Sequence, residues 1–265
     1  MYGNAIACWW QKDGSSELEY EDAFAVGADG ENDVWELTNQ LRFLRVAVAD
    51  GATESMLSGK WAQVLVQSYT VSRRRRMRTC VNRALDRWPR FLQEYKDGRE
   101  EAGKPIAWYE EPGLERGAHA TLLAVEFQSA PDGLSGTWIA EAIGDSCLFQ
   151  VSDNKLKSSF PVGSSVEFDT SPALVHTGVH DRRLLEKYTT SLSGNWSSGD
   201  SFFLCTDALA AWFYAQHESG AEPWTIWREF HSSGDREDFR EWVASERHSS
   251  RMKNDDVTLV NVQFD

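Results

Sequence analysis

Acidic residues stand at the ends of several short apolar runs in this chain of 265 residues. Asp50 directly follows the apolar run 46–49, and Asp207 comes just after the apolar run 202–205. Asp145 lies in a turn between two other apolar runs. A carboxylate beside buried residues costs free energy unless a cation or hydrogen-bond donors compensate its charge. The repeated pattern therefore predicts that these acids converge on metal ions.

Two further acidic pairs share this setting. Glu21 and Asp22 directly precede an apolar run, and Asp255 and Asp256 directly precede the last one. Hard divalent cations such as Mg²⁺ and Mn²⁺ take oxygen ligands, usually one or two carboxylates per ion with water completing the shell. Two such ions bridged by one aspartate activate a water and hold phosphate oxygens for in-line attack. The acids therefore indicate a phosphoester hydrolase that needs no protein nucleophile.

Each acid taken singly also has a simpler explanation. Aspartate is common in turns and at helix starts, so Asp50 or Asp207 can simply cap the helix that follows it. No HExxH, GxSxG or GxxxxGK[ST] motif occurs, which disfavours metalloproteases, serine hydrolases and P-loop proteins. His119 is expected to be a core or sheet-edge histidine, and the other histidines lack metal-ligand spacing.

The elements that must position these acids are mostly short strands. Turn signals such as residues 131–133 and 152–154 favour antiparallel hairpins. Apolar runs predict strands over residues 5–10, 23–26, 43–49, 121–127, 137–143, 147–151, 202–205 and 257–262.

Helical periodicity of the apolar residues is confined to a few segments. Thr53 or Ser55 is expected to cap the first helix, and Pro89 is expected to kink or divide the second. Residues 96–117, rich in Gly, Pro and charge, are expected to form a loop. The order of elements predicts an α+β sandwich in a single domain over 1–265. The predicted helices cover residues 57–68, 82–95 and 239–246.

Composition narrows the class of protein. The chain has 41 acidic against 27 basic residues, a net charge of −14, which disfavours attraction to nucleic acid or anionic membranes. Cys8, Cys80, Cys147 and Cys205 form no CxxC pair and lie mostly in apolar runs, so we expect reduced core thiols rather than a zinc site. No signal peptide or membrane span is evident, and we expect a cytoplasmic protein.

Two segments offer candidate partner surfaces. The basic block Arg73–Arg76 either docks an acidic or phosphorylated partner or is only the solvated end of a helix. Residues 221–251 combine tryptophans with many charges, and they form either a partner surface or a packed pair of helices.

Six short motifs carry a resemblance to a known family. YEDAFAV, VAVADGATES, GAHATLLAV, AIGDSCLFQV, FFLCTDALAAWF and NDDVTLV occur in this order over nearly the whole chain. They resemble the successive motifs of the metal-dependent PP2C (PPM) serine/threonine protein phosphatases, most of all the compact bacterial members. The resemblance implies a four-layer α/β/β/α sandwich of two antiparallel sheets flanked by helices. It also implies a site for two Mn²⁺ or Mg²⁺ ions in a cleft at one edge.

The resemblance also assigns roles to the acids around Asp50. Asp50 matches the carboxylate that bridges the two ions, and Gly51 matches the residue whose carbonyl ligates one of them. Glu21 matches the residue that holds a water of the second ion. Asp22 matches the residue that orients the water network. Asp50 and Asp22 are therefore the expected catalytic residues.

The remaining acids complete the metal centre that the resemblance implies. Asp207 and Asp255 match ligands of the first ion, and Asp145, together with Asp207, matches a site for a weaker third ion. The implied activity is hydrolysis of phosphoserine and phosphothreonine in proteins. The implied partners are a phosphorylated protein and a cognate serine/threonine kinase.

The chain departs from the family pattern at three positions. Glu17 stands where members often place a phosphate-binding arginine, so phosphate binding falls to the metals, to Lys12 or to a loop arginine. Ala52 replaces a histidine of the eukaryotic members, as in bacterial relatives, and Ala208 replaces the glycine of the TDG motif. These departures keep open a pseudophosphatase or regulatory binding module with the same fold. A hydrolase of a small phosphoester is a third alternative.

Overall fold

A computed structural model describes residues 1–27, 34–37, 41–71, 76–168, 171–178, 182–230 and 236–265. The strands in chain order are β1 (Gly3–Trp10), β2 (Ala23–Val26), β3 (Val34–Leu37), β4 (Phe43–Ala49), β5 (His119–Ala120), β6 (Leu122–Ser129), β7 (Ser135–Ile143), β8 (Cys147–Ser152), β9 (Lys155–Phe160), β10 (Val175–His176), β11 (Thr190–Ser197), β12 (Ser201–Cys205) and β13 (Val257–Phe264). The helices are α1 (Ser58–Thr70), α2 (Met77–Glu101), α3 (Glu111–Arg116), α4 (Arg182–Tyr188), α5 (Asp207–Glu218), α6 (Trp224–Trp227) and α7 (Arg236–His248).

Two antiparallel sheets form the centre of the fold. One has six strands in the order β3-β1-β13-β12-β8-β9, and the other has five in the order β11-β7-β6-β4-β2. A two-stranded sheet of β5 and β10 lies beside them. The inner faces of the two large sheets pack on each other through a shared apolar cluster that includes Val46 and Val48 of β4 and Phe202 of β12.

Helices cover the outer faces of both sheets. Ala47 and Ala49 of β4 point to a second cluster with α1 and α2, while Phe203 of β12 points to a third cluster with α5, α6 and α7. Because side chains alternate between the faces of a strand, burial on both faces makes β4 and β12 continuously apolar. The result is the predicted α/β/β/α sandwich.

All eight predicted strands are confirmed, with ends that differ by at most two residues. The strands β9 and β11 escaped prediction because polar side chains dominate them; in β11 only Trp196 is buried. The three predicted helices correspond to α1, α2 and α7. Strands with a run of apolar residues are therefore the ones that the sequence pattern reveals.

Details of the helices differ from the predictions. Neither Thr53 nor Ser55 caps α1, because the N-cap is Leu57 in a left-handed conformation at φ 64°. Pro89 lies within one continuous α2 rather than dividing it. The expected loop 96–117 is wrong in part, since α2 continues to Glu101 and α3 follows at Glu111–Arg116.

The described parts of the candidate partner surfaces are largely packed. Trp224 and Trp227 of α6 are buried, and Trp242 of α7 packs against the same cluster, which favours the packed-helix interpretation of 221–251. Of the basic block, residues 73–75 lie outside the described residues, and Arg76 is the exposed residue before α2.

The four cysteines are all buried thiols. No helix in the described ranges has both the length and the hydropathy to cross a membrane.

Candidate metal centre

Strand register brings the predicted acids to one edge of the sandwich. Ala23 of β2 pairs with Ala49 of β4, so Asp22 and Asp50 emerge side by side from the five-stranded sheet. In the six-stranded sheet, Cys205 pairs with Leu259, so the end of β12 and the start of β13 lie together. Antiparallel pairing thus gathers acids that are far apart in sequence.

Asp22 links the two sheets at this edge. Its side chain is only 5% exposed, and its Oδ2 accepts hydrogen bonds from the hydroxyls of Thr206 and Thr258, both at 2.9 Å. Its Oδ1 is buried and has no hydrogen-bond partner among the described residues. Burial, followed by the charge of Asp256, raises the pKa of Asp22 well above its usual range. Asp22 therefore keeps one acceptor atom for a group that the described residues do not supply.

Asp50 is held rigidly by its backbone. Its N–H donates to the Thr121 hydroxyl at 2.9 Å, and its carbonyl accepts from the Thr121 N–H at 2.8 Å. Its carboxylate lies within a field of like charges, which favours the neutral form. Burial raises the pKa of Asp50 well above its usual range, and nearby acids raise it further: Asp22, Asp207, Asp255 and Asp145.

Gly51 is required by close packing. It bridges to Ala120, and a Cβ at this position would lie 2.7 Å from the Glu21 carbonyl oxygen and 2.7 Å from the Ser58 carbonyl carbon. Any larger residue would push the start of α1 away from the segment before β2 that carries Glu21. Glycine at this position therefore preserves the spacing between Asp50 and its neighbours.

Glu21 is fixed by contacts to three other residues. Its Oε1 accepts from the Ser58 hydroxyl at 2.6 Å, and its Oε2 lies 3.3 Å from Lys12 Nζ. Its backbone N–H donates to Asp256 Oδ2 at 2.7 Å, while Asp256 Oδ1 accepts from the Lys12 N–H at 2.8 Å. In the sequence, Asp256 stands out only as an acid beside Asp255. The structure gives it a clamping role that no local sequence signal indicated.

Lys253 is the other residue that the sequence did not single out. Its ammonium lies 2.6 Å from Asp255 Oδ2 and 3.6 Å from Asp207 Oδ2. Burial alone would lower the pKa of Lys253, but Asp255 and Asp207 raise it above its usual value. Burial raises the pKa of Asp207, and Lys253 opposes that rise. One lysine thus supplies positive charge to both carboxylates.

Glu17 and Ala52 are two of the residues that depart from the family pattern. Glu17 is exposed on a short 3₁₀ helix. Ala52 donates its N–H to the carbonyl of His119, and the His119 ring stacks on His176 with centroids 4.1 Å apart. Burial and the neighbouring His176 lower the pKa of His119. The expected sheet-edge setting of His119 is therefore confirmed.

The candidate ligand atoms suit a hard divalent cation. They are carboxylate oxygens, their like charges raise one another's pKa, and Asp22 Oδ1 lacks a partner. Within the described ranges, however, no three His, Cys, Asp or Glu side chains come close enough together to hold an ion by themselves. The arrangement fits ions that retain several water ligands, as Mg²⁺ commonly does.

Comparisons with known proteins bear on the fold. No protein-family model and no curated protein matches the sequence. The S. agalactiae serine/threonine phosphatase is 12% identical with a TM-score of 0.56, over 98% of this chain and 100% of that one. The catalytic domain of the serine/threonine protein phosphatase PstP, solved with two manganese ions, is 14% identical with a TM-score of 0.52, over 99% of each chain. RsbX in complex with magnesium is 16% identical with a TM-score of 0.50, over 100% and 96%.

Proposed function

Because the chain has the fold of the PP2C-type phosphatases, we propose that it hydrolyses phosphoserine and phosphothreonine in proteins with the help of Mn²⁺ or Mg²⁺. The observation that carries this proposal is the convergence of carboxylates around Asp50, whose pKa is raised by burial and by four other acids. Such crowding is costly where hydrogen bonds and lysines of the chain compensate it only in part, and a divalent cation relieves it. The proposed partners are a phosphorylated protein and the kinase that modifies it.

The proposed ligands are those that the family resemblance implies. Asp50 would be shared by two ions, the Gly51 carbonyl would ligate one of them, and Glu21 would hold a water of the second ion. Asp207 and Asp255 would ligate the first ion. Asp145, buried in the turn between β7 and β8, joins Asp207 in a weaker third site. When bound, such ions make a water nucleophilic near neutral pH and stabilise charge on the phosphate oxygens.

Residues of the chain have tasks of their own in this proposal. Asp22 Oδ1, buried and without a partner among the described residues, accepts a hydrogen bond from the attacking water and orients it. The Thr206 and Thr258 hydroxyls hold the carboxylate of Asp22 in place through Oδ2. The chain thus fixes the direction from which water approaches phosphorus.

Lys12 is the proposed substitute for the missing phosphate arginine. Its ammonium reaches the edge of the site, 3.3 Å from Glu21, whereas Glu17 points to solvent on its 3₁₀ helix. In Lys12→Ala we expect KM for a phosphopeptide to rise about tenfold with kcat little changed, because one phosphate contact is lost. Lys12→Arg should restore most of the affinity. An unchanged KM in Lys12→Ala would remove Lys12 from phosphate binding.

The direct test is Mn²⁺-dependent hydrolysis of p-nitrophenyl phosphate and of phosphoserine peptides. Asp50→Asn and Asp207→Asn should each lower kcat/KM by at least about a hundredfold, because they remove proposed ligands. Asp86→Asn, an exposed acid on α2, is the matched control and should retain full activity. Equal activity in Asp50→Asn and wild type would contradict the proposal. Preference for small esters over peptides would instead indicate a small-molecule phosphatase.

A regulatory binding module without turnover is the second candidate. Two observations favour it: an acid occupies position 17, and Lys253 lies between two of the proposed ligands. In that case the chain binds Mn²⁺ but releases no phosphate from any peptide tested. The same assay, run alongside a direct measurement of Mn²⁺ binding, separates the two functions.

A further inference from the structure

The ammonium of Lys253 lies in the gap between two carboxylates. It is 2.6 Å from Asp255 Oδ2 and 3.6 Å from Asp207 Oδ2, whereas the family resemblance assigns both acids to one divalent ion. A lysine ammonium is a compact point charge, so it satisfies the same oxygens that an ion would use.

Two cations cannot share this gap. A divalent ion bonded to Asp207 and Asp255 would stand next to the ammonium, and their repulsion in a partly buried site is strong. Lys253 is free to leave, because its side chain is 64% exposed. It also lines a cavity of about 530 Å³ next to the end of α7, which offers the displaced side chain a place in solvent.

The other cations of this cavity are engaged elsewhere. Arg247 contacts Asp13 at 3.0 Å, and Arg251 contacts Glu246 at 2.7 Å. Lys12, on the other side of the acids, contacts Glu21 at 3.3 Å rather than Asp207. Among these cations, Lys253 is therefore the one whose charge falls between the two proposed ligands of the first ion.

We infer that Lys253 is a built-in competitor of the divalent ion at Asp207 and Asp255, and that it sets the metal concentration at which this half of the centre fills. The inference rests on the proposed metal-dependent function. The apparent dissociation constant of the ion equals its intrinsic value divided by the fraction of molecules in which the carboxylates are free of the lysine. Removing the lysine charge raises that fraction and tightens metal binding.

The size of the effect follows from the kind of ion pair. Partly exposed lysine–carboxylate pairs contribute modestly to stability, which corresponds to about a fivefold change in the affinity of a competing ion. Because ions in solution screen exposed charges, the difference between wild type and a variant without the lysine should shrink as salt rises.

The test is calorimetric titration of the full chain with Mn²⁺ alone. Lys253→Met removes the charge and keeps the length of the side chain, while Lys253→Arg keeps the charge. Lys60→Met is the matched control, because Lys60 is exposed on α1 and its ammonium hydrogen-bonds a neutral side chain, Gln63. This control corrects for the change in net charge. Thermal denaturation of each variant in EDTA checks that it is folded.

We expect Lys253→Met to bind the ion at this half of the centre about fivefold more tightly than wild type. Lys253→Arg should stay near wild type, and Lys60→Met should change by less than about twofold. Equal dissociation constants for Lys253→Met and Lys60→Met would overturn the inference and leave the proposed function standing. Absence of Mn²⁺ binding in wild type and all variants would overturn the proposed function, and the inference with it.

Discussion

Glu246 and the acids around Asp50 differ in how far the chain itself compensates their negative charge. Glu246 on α7 is 7% exposed, and its Oε2 accepts hydrogen bonds from Trp212 Nε1 at 2.8 Å and Arg251 Nε at 2.7 Å. Its Oε1 accepts a further bond from Arg251 at 2.7 Å. The hydrogen bonds from Arg251 lower the pKa of Glu246. The chain itself supplies everything that this carboxylate needs.

The charge of the acids around Asp50 is compensated less completely, although Lys253 contacts Asp207 and Asp255. Burial and neighbouring like charges raise the pKa of Asp50 and of Asp22, and one oxygen of Asp22 has no partner among the described residues. An acid with several internal donors is typical of structural sites, whereas acids that repel one another in a cleft are typical of functional ones. Burial alone therefore does not identify a functional site. The direction of the pKa shift and its cause do.

Removing the structural acid should have the largest effect on stability. In Glu246→Ala the Trp212 N–H loses its acceptor in the core and Arg251 loses its partner. We expect the free energy of unfolding to fall by about 2–3 kcal/mol, measured by urea denaturation in EDTA. Glu246→Gln, which keeps an acceptor for Trp212, should lose less. A loss below about 0.5 kcal/mol in Glu246→Ala would contradict the structural role assigned to Glu246.

Removing a charge from the acids around Asp50 should raise the free energy of unfolding, by less than Glu246→Ala lowers it. In Asp50→Asn we expect the metal-free protein to become more stable by about 1 kcal/mol at pH 8, because one of several repelling charges is lost. The melting temperature in EDTA should rise by about 3 °C. A lower melting temperature than wild type at pH 8 would show that Asp50 is stabilising without metal.

The stability gained in Asp50→Asn should depend on pH. The pKa of Asp50 in the folded chain lies well above its unfolded value of 3.8. Below the unfolded value the group is neutral in both states and costs nothing. As pH rises from there through the folded pKa, the unfolded state releases its proton first, and the folded state loses stability. The advantage of Asp50→Asn should therefore be smaller at pH 5 than at pH 8. A constant or reversed difference would contradict the assigned shift.

Much of the fold was predictable because the strands that hold the site are buried on both faces. The runs that became β4 and β12 stand out as continuously apolar, and each delivers an acid at its end. The mostly polar β11 carried no such pattern. The left-handed Leu57 before α1 also left no signal, because no side chain caps the start of that helix.

The acids of the candidate site could be predicted from the sequence, but the contacts of its lysines could not. Carboxylates next to apolar runs are unusual enough to notice, and the order of the motifs matched a family. Lys253 looks like any solvated lysine in a turn, and its contact with Asp207 joins residues 46 positions apart. The clamp that Asp256 forms with Lys12 spans 244 positions. Such contacts depend on strand register, which a single sequence does not reveal.

The central claim is that the carboxylates around Asp50 are a site for divalent metal. Anomalous diffraction from crystals grown with millimolar Mn²⁺ tests it most directly, because the signal locates manganese without reference to activity. The account predicts anomalous peaks in contact with the Asp50 carboxylate, one of them also on the side of Glu21 and Gly51. Well-diffracting crystals with no anomalous peak at Asp50 would contradict it.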